Sequence, residues 1–483
     1  MRLSELARSV PDCRIIGRGN PEITRVDYDS RQASPGSLFV AIKGARTDGH
    51  RFVEQAFANG AAAAAVEERV LRPPDRPLIV VPDGRLALAL FSGELWGHPD
   101  REMNLAGVTG TNGKTTTVNL LADIFTKVWG KSGMIGTLGN RIGDRFQTQE
   151  RTTPESPDIL QLLSQMRAEG CRAAAMEVSS HALALKRVFG LQFSVAAFTN
   201  LSQDHLDFHK NFESYFEAKA ALFSDYGIGV AVINADDPYG ERLLDVTSAP
   251  VLKYSLSSPA DVQAASIELS VAGIRMAVHT PRGEMNISSP LLGKFNAYNL
   301  LCALAVSEAL EIPHEDSAAA IASFHGVPGR MQSFSLGNRR AYVDYAHTPE
   351  ALQLTIEELK SLTPGPVHVL FGCGGNRDSE KRPLMGRIAE ERADKVYVTT
   401  DNPRDEDPEE VIAEILAGMR HPEKANVIPD RRRAILTALE NLPDSGALLI
   451  AGKGHENYQE IRGVKYPFDD SEEVRRYIEA QRG

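Results

Sequence analysis

The sequence predicts an α/β protein of three domains, and three observations carry that reading. Strand-like apolar runs alternate with helix-like segments, the order that builds parallel sheets flanked by helices. The runs stop abruptly in polar or glycine-rich loops. The length, 483 residues, corresponds to about three domains of ordinary size.

The elements follow in order. Ala61–Ala65 reads as part of a small-residue core element. An apolar run from Asn104 to Gly110 stops at a glycine-rich loop. Beyond it, Val118, Leu121, Phe125 and Val128 recur at helical spacing between Lys114 and Trp129. Ala173–Val178 runs into Ser179-Ser180-His181, and Val195–Phe198 into Thr199-Asn200. Val367–Phe371 runs into GCGGNRD, Lys395–Thr399 into TDNPRDEDP, and Ala447–Ile450 into AGKGHE. Polar residues therefore gather just after the strands, where open α/β sheets bind ligands. Domain boundaries are expected near residues 100 and 332, giving 1–100, 101–331 and 332–483. No repeat of fixed period and no low-complexity tract appears.

Bulk properties exclude several classes. Hydrophobic content of 42% and charged content of 24% argue against fibrous and disordered protein. A net charge of −11 opposes non-specific attraction to nucleic acid or an anionic membrane, so no nucleic-acid partner is expected. Any phosphate ligand must then meet positive charge concentrated in pockets. Cys13, Cys171, Cys302 and Cys373 show no C-x-x-C spacing, which argues against structural zinc and suits a reducing cytosol. The start, MRLSELARSVPDC, has no apolar signal region, and no apolar window approaches the roughly 18 residues of a membrane span. A cytoplasmic chain without a membrane span is expected.

The strongest local signal is Gly107-Val108-Thr109-Gly110-Thr111-Asn112-Gly113-Lys114-Thr115-Thr116. Glycines let the backbone curl so that successive N–H groups face phosphate oxygens. The following helix adds the positive end of its dipole. Lys114 would reach the terminal phosphates, and the Thr115 hydroxyl would sit on Mg²⁺. The match to G-x-x-x-x-G-K-[ST] is imperfect, because Val108 stands where the first glycine belongs. A chance glycine-rich loop is the bland alternative. The loop implies nucleotide triphosphate binding but does not separate a kinase, motor, ligase or regulatory module.

The variant loop TGTNGKT resembles the Mur ligases and their folylpolyglutamate synthetase relatives. Further blocks stand in the family's order: TTPES, MEVSSHAL, TNLSQDHLDFH, YFEAKAALF, GKFNAYN, PGRMQ, DYAHTPEAL, GCGGNRDSEKRPLMG, DNPR and GKGHE, with DSR and SLFVAIKG ahead of them. The set is most similar to the Mur ligases that add 2,6-diaminopimelate. The resemblance implies an N-terminal domain for the uridine substrate, a central P-loop-type ATP-binding domain and a C-terminal Rossmann-like domain that brings the amino acid. It implies three substrates: UDP-MurNAc-dipeptide, ATP and meso-diaminopimelate. A monomer is expected.

The implied reaction phosphorylates the D-Glu carboxylate, and the incoming amine then attacks the acyl phosphate. Phosphate leaves far more easily than oxide, so the protein mainly positions reactants and neutralises charge. By resemblance, Lys114, Glu177, His205 and Lys219 form the catalytic group. Thr115, Glu177, His205 and Lys219 are the metal set, with Lys219 carrying a carbamate from CO₂. A carboxylate ending an apolar strand, as Glu177 does, needs a partner or a metal. Without the family, His205 reads as a hydrogen-bonding loop residue and Lys219 as a solvated lysine. Carbamylation requires an uncharged amine, hence a depressed Lys219 pKa.

Resemblance assigns ATP to Gly110, Thr111, Asn112, Gly113, Lys114, Thr115, Thr116, Asn299 for adenine, Arg330 for phosphate and Asp344 for ribose. The last three have bland alternatives as turn or surface residues, and His347 has no assigned role. The uridine substrate falls to Ser30, Thr152, Thr153, Ser179 and Arg187. Two positions depart from the family, Leu185 in place of a frequent Gln and Arg151 in place of an Asn. The acceptor falls to Arg377, Asp401, Asn402, Pro403, Arg404, Gly452 and Glu456. Arg404 can fork onto a distal carboxylate and Glu456 can take an ammonium. The competing reading makes DNPR a strand-to-helix turn with Asp as N-cap, and both readings can hold together. The runner-up functions are a lysine-adding Mur ligase, a folylpolyglutamate synthetase-like ligase and a nucleotide-dependent binding module. The first would have no use for Arg404, the second would not carry GCGGNRD, DNPR and GKGHE together, and the third would have lost one of Lys114, Glu177, His205 or Lys219.

Overall fold

A computed structural model describes residues 1–44, 47–67, 76–149 and 151–482. Their strands form a five-stranded, an eleven-stranded and a six-stranded sheet and one two-stranded hairpin.

The first sheet contains β1 (Arg14–Ile16), β2 (Arg25–Asp27), β3 (Ser37–Val40), β4 (Ala63–Val66) and β5 (Leu78–Val80), in the order β1-β5-β4-β3-β2. The alanine run lies in β4, where Ala63, Ala64 and Ala65 are fully buried. The helix Gly84–Trp96 packs this sheet against the helix Ser156–Ala168 of the next unit. Polar contacts cross the same seam. Tyr28 Oη donates to Asp158 at 2.8 Å, Arg85 pairs with Glu155 at 3.4 Å, and Lys186 pairs with Asp83.

The second sheet contains β6 (Asn104–Thr109), β7 (Gly133–Gly136), β8 (Gly139–Ile142), β9 (Arg145–Gln147), β10 (Ala173–Glu177), β11 (Gln192–Phe198), β12 (Gly227–Asn234), β13 (Val251–Ser255), β14 (Val262–Ser270), β15 (Gly273–Thr280) and β16 (Gly283–Ser289). Its order is β16-β15-β14-β13-β12-β11-β6-β10-β7-β8-β9. The central strands are parallel, with antiparallel meanders at both edges. Helices Lys114–Trp129 and Lys294–Ala309 bury one face. Helices Ser156–Ala168 and Phe212–Ser224 bury the other. Burial on both faces explains why β6, β10 and β11 read as continuous apolar runs. From β6 the chain moves outward to β7, returns to β10 and then crosses to β11 on the far side of β6. Such a switch point opens a crevice beyond the strands' carboxyl ends.

The third sheet contains β17 (Gln332–Leu336), β18 (Arg339–Asp344), β19 (Val367–Phe371), β20 (Lys395–Val398), β21 (Asn426–Val427) and β22 (Ala447–Ala451). Its order is β17-β18-β22-β19-β20-β21, and all but β17 are parallel. The hairpin of β23 (Tyr458–Ile461) and β24 (Val464–Pro467) follows. Because β18, β22, β19 and β20 run the same way, Asp344, Gly452, Gly372 and Asp401 all emerge at one edge. The sheets end close to the expected boundaries, and we keep 1–100, 101–331 and 332–483 as the proposed division.

Candidate active site

The glycine loop leaves β6 and enters the helix Lys114–Trp129. Gly113 has φ +86°, and a Cβ there would stand 2.3 Å from Asn299 Oδ1. A glycine is required both for the left-handed turn and for this approach. Asn299 is buried on the helix Lys294–Ala309, and its amide donates to Asn296 Oδ1 at 2.9 Å.

Lys114 Nζ donates to the carbonyls of Gly110 at 2.7 Å and Thr111 at 2.6 Å. Lys219 Nζ donates to the same Gly110 carbonyl at 2.7 Å. Lys219 is 2% exposed, which overturns its reading as a solvated lysine. Its helix brings it under the loop, over the Tyr215 ring. Burial first, and the Lys114 cation second, hold the Lys219 amine well below the usual lysine range. Burial likewise lowers Lys114, against the raising effect of Glu177 and Asp204.

Glu177 ends β10 and is 1% exposed. It accepts from Thr115 Oγ1 at 2.9 Å, from the Thr137 N–H at 2.7 Å and from Thr137 Oγ1 at 3.1 Å. These partners keep a carboxylate viable in a buried site. His205 stands in the loop after β11 at φ +54°, a strained conformation for a non-glycine residue. Its ring meets His181 at 4.8 Å between centroids, and burial lowers its pKa. Asp204 lies beside it, and the positive groups of His205, His347 and Lys114 hold its carboxyl below the usual range despite burial.

Thr152, Thr153, Ser179 and Arg187 form one hydrogen-bonded group next to Glu177. Thr152 Oγ1 meets Thr137 Oγ1 at 3.1 Å, and Thr153 Oγ1 donates to the Glu177 carbonyl at 2.8 Å. The Ser179 N–H donates to Thr153 Oγ1 at 3.1 Å, and Arg187 Nη1 to the Thr153 carbonyl at 3.0 Å. Arg85, Arg151 and Arg187 all pair with Glu155. The departure at Arg151 thus faces a carboxylate, and the Leu185 carbonyl accepts from Arg85. Ser30 is not part of this group. It sits in the first sheet's unit, its hydroxyl donating to Gln55 Oε1 at 3.2 Å. A cleft of about 370 Å³ lies between the two units, lined by Tyr28, Gln149, Arg151 and Asp158 among others.

At the third sheet, Asp344 accepts from the N–H groups of Met331 at 2.7 Å and Ala346 at 2.9 Å. Burial raises its pKa, opposed by Arg330. The Arg330 guanidinium lies over the Tyr345 ring, which also contacts His347 and His455. Asn402 is 1% exposed. Its amide donates to Glu456 at 2.6 Å and accepts from Lys453 at 3.2 Å and the Glu460 N–H at 2.8 Å. Asn402 therefore orients its neighbours. Asp401 accepts from the Asn402 N–H at 2.7 Å and approaches Gly452. It caps no helix, since the following helix starts at Pro408 and is capped by Asp407. Arg404 Nη1 donates to the Gly375 carbonyl at 2.7 Å, and its Nε faces Glu460 at 3.3 Å. A Cβ on Gly375 would stand 1.9 Å from the Pro403 carbonyl, so the two loops touch only because that residue is glycine. Arg377 is exposed on the loop. Burial raises the Glu456 pKa, opposed by Lys453.

Sequence reasoning missed Thr137, Asp204, Lys453 and Glu460. Asp204 and Lys453 stand inside quoted blocks, so a signal existed. Nothing local marks Thr137 or Glu460.

The sequence matches the Mur ligase middle domain over residues 108–307, the Mur ligase glutamate ligase domain over 329–454, and the Mur ligase family catalytic domain over 22–93. It is 44% identical to the UDP-N-acetylmuramoyl-L-alanyl-D-glutamate–2,6-diaminopimelate ligase of Gloeobacter violaceus, across 100% of this chain and 99% of that protein. It is 41% identical to the protein of that name from Geobacillus thermodenitrificans, across 100% of both. A solved structure of a ligase so named superposes with a TM-score of 0.71 at 35% identity, covering 95% of this chain and 96% of that one. MurF from Thermotoga maritima in complex with ADP shares the fold, with a TM-score of 0.62 at 20% identity, covering 95% of this chain and 98% of that one. With its phosphate loop, its buried lysine and carboxylate, and full-length relatives above the level that marks common descent, this chain belongs to the Mur ligase family.

Proposed function

We propose that the protein is an ATP-dependent amide-bond ligase of peptidoglycan precursor synthesis. It joins meso-2,6-diaminopimelate to the D-Glu carboxylate of UDP-N-acetylmuramoyl-L-Ala-D-Glu, releasing ADP and phosphate. The observation that carries the acceptor is Arg404 at the same sheet edge as Glu456, which the Asn402 amide holds at 2.6 Å. Arg404 Nη2 has no hydrogen-bond partner among the described residues. A guanidinium with free N–H groups suits a second carboxylate, and Glu456 suits an ammonium. The names of the full-length relatives support the same acceptor.

In the first step the D-Glu carboxylate takes the terminal phosphoryl group of ATP, and ADP leaves. The glycine-loop N–H groups and Lys114 hold the phosphates and balance the charge that gathers there. The acceptor amine then attacks the acyl carbon, and phosphate leaves. Thr152, Thr153, Ser179 and Arg187 hold the uridine substrate, together with Ser30 of the first sheet's unit. Asn299, Arg330 and Asp344 hold the nucleotide.

Among the described residues no group of three or more His, Cys, Asp or Glu side chains is arranged to hold a metal. The donors present still suit Mg²⁺, because Thr115 and Glu177 offer oxygen and the ATP phosphates offer more. Mg²⁺ held by Thr115 and Glu177, with His205 nearby, would neutralise phosphate charge. Lys219 as an ammonium under the loop would repel a cation. Its burial and its depressed pKa favour the neutral amine that CO₂ converts to a carbamate, and we assign it that role. No helix among the described residues is long and apolar enough to cross a membrane. We place the enzyme in the cytoplasm as a monomer.

The test is ADP release with UDP-MurNAc-dipeptide and a panel of meso-diaminopimelate, L-lysine and L-ornithine. Meso-diaminopimelate is expected to be preferred. Without Arg404 the second carboxylate loses a charge-assisted hydrogen bond worth about 1.5–3 kcal/mol, so Arg404→Ala should raise the diaminopimelate KM about tenfold to a hundredfold. Equal use of L-lysine by the wild type would remove the acceptor assignment.

A further inference from the structure

Arg404 already has a carboxylate beside it, and that carboxylate belongs to the protein. Glu460, on β23, places Oε2 3.3 Å from Arg404 Nε, with the two side chains 25% and 19% exposed. We infer that Glu460 is an internal counter-ion that competes with the acceptor's second carboxylate for Arg404 and so sets the affinity for that acceptor. The inference rests on the acceptor assignment proposed above.

The hairpin of β23 and β24 is fixed to the DNPR segment by its backbone. The Arg404 N–H donates to the Glu460 carbonyl at 3.0 Å, and the Arg462 N–H donates to the Arg404 carbonyl at 2.7 Å. Asn402 Oδ1 accepts from the Glu460 N–H at 2.8 Å, and Gln459 donates to the Asp401 carbonyl at 2.7 Å. Arg404 and Arg462 both hold positive φ, +51° and +49°. None of these contacts uses the Glu460 carboxylate. Its position opposite Arg404 is thus imposed by the hairpin's register.

A guanidinium takes a carboxylate bidentately through one of two edges, Nε with Nη2 or Nη1 with Nη2. The Gly375 carbonyl, a fixed backbone group, occupies Nη1. Glu460 occupies Nε, but it is a side chain that can rotate away. An arriving carboxylate can fork onto the Glu460 edge, or onto Nη1 and Nη2, because the Gly375 carbonyl takes one of the two Nη1 hydrogens. It must displace Glu460 or share the cation with it, and either way one negative charge opposes the other. Lysine, with no second carboxylate, does not enter this competition.

The experiment compares wild type, Glu460→Gln and Glu460→Asp in the full ADP-release assay, with meso-diaminopimelate and with L-lysine. Glu460→Gln should lower the diaminopimelate KM roughly three- to fivefold, the size expected of a half-buried ion pair. Glu460→Asp, which keeps the charge on a shorter reach, should fall between. The KM for L-lysine and the KM for ATP should not move, which a general loosening of the hairpin would not reproduce. An unchanged diaminopimelate KM in Glu460→Gln overturns the inference, since the pair is then a surface contact. A raised KM also overturns it, since Glu460 then binds the acceptor's ammonium. If the wild type itself prefers L-lysine, the acceptor assignment fails first.

Discussion

Lys114 and Lys219 approach the Gly110 carbonyl oxygen at the same distance, 2.7 Å each. Two ammonium groups so close raise each other's cost of protonation, and burial raises it further. Lys219 loses more, because Asp204 alone opposes the loss there, whereas Glu177 and Asp204 both oppose it at Lys114. On the proposal that Lys219 works as a carbamate, the functional end of the chain is an anion. Lys219→Ala should then lose roughly a hundredfold or more in turnover, comparable to deleting a preorganised charge-stabilising group. A short-chain carboxylic acid in the buffer should restore part of it. A fully active Lys219→Arg, which keeps the cation, would sink the carbamate. Lys114→Ala should stay folded and form no ADP, since that lysine's hydrogen bonds among the described residues go to the carbonyls of its own loop.

At the scale of elements, the acceptor edge is braced by buried charge. Arg431, at the start of the helix Arg431–Glu440, pairs with Asp470, which opens the helix Asp470–Arg482, and both side chains are 0% exposed. Arg431 Nη2 also donates to the Ala451 carbonyl at 3.0 Å, directly before Gly452. Removing one partner strands a buried cation. Asp470→Ala should therefore cost ~3–5 kcal/mol, whereas the apolar double variant Arg431→Met with Asp470→Leu should cost much less. Denaturant unfolding of the three proteins decides it, and equal losses in single and double variants would show that the charge is not the cause. Arg382, 1% exposed, does comparable work nearby. It ties the Gly374 carbonyl to Glu406 and Glu414, and so holds the GCGGNRD loop to the DNPR loop.

At the scale of the whole molecule, the phosphate loop belongs to the second sheet and the acceptor loops to the third. The amine must come within roughly 3 Å of the acyl phosphate, and water must be kept from the intermediate. The first sheet's unit is tied to the second by the Tyr28–Asp158, Arg85–Glu155 and Lys186–Asp83 pairs. The third is the unit expected to move. Solution scattering should show compaction when an ATP analogue and UDP-MurNAc-dipeptide bind together. No change in the radius of gyration would count against closure.

The strand-loop-helix units and the phosphate loop are legible in the sequence without any relative; the rest of the predicted site is legible only through the family resemblance. The reason is local. A doubly buried parallel strand must be apolar, and the loop after it must be polar, so Gly110–Lys114, Glu177, Asp401 and Gly452 stand out by position, while the roles of Glu177, Asp401 and Gly452 come from the family resemblance. Lys219 was legible only through the family, because its helix places apolar residues around it in a pattern that fits a solvated lysine as well. Whether it points to water or beneath the phosphate loop is settled by packing against another strand's loop. Thr137, which holds Glu177, and Glu460, which faces Arg404, carry no sequence signal at all. Each acts on a residue far along the chain, Thr137 across the sheet at the end of β7 and Glu460 through the register of a hairpin. Only the tertiary structure brings those partners within hydrogen-bonding distance, because sequence spacing constrains neighbours on one element and says nothing of which strands lie side by side.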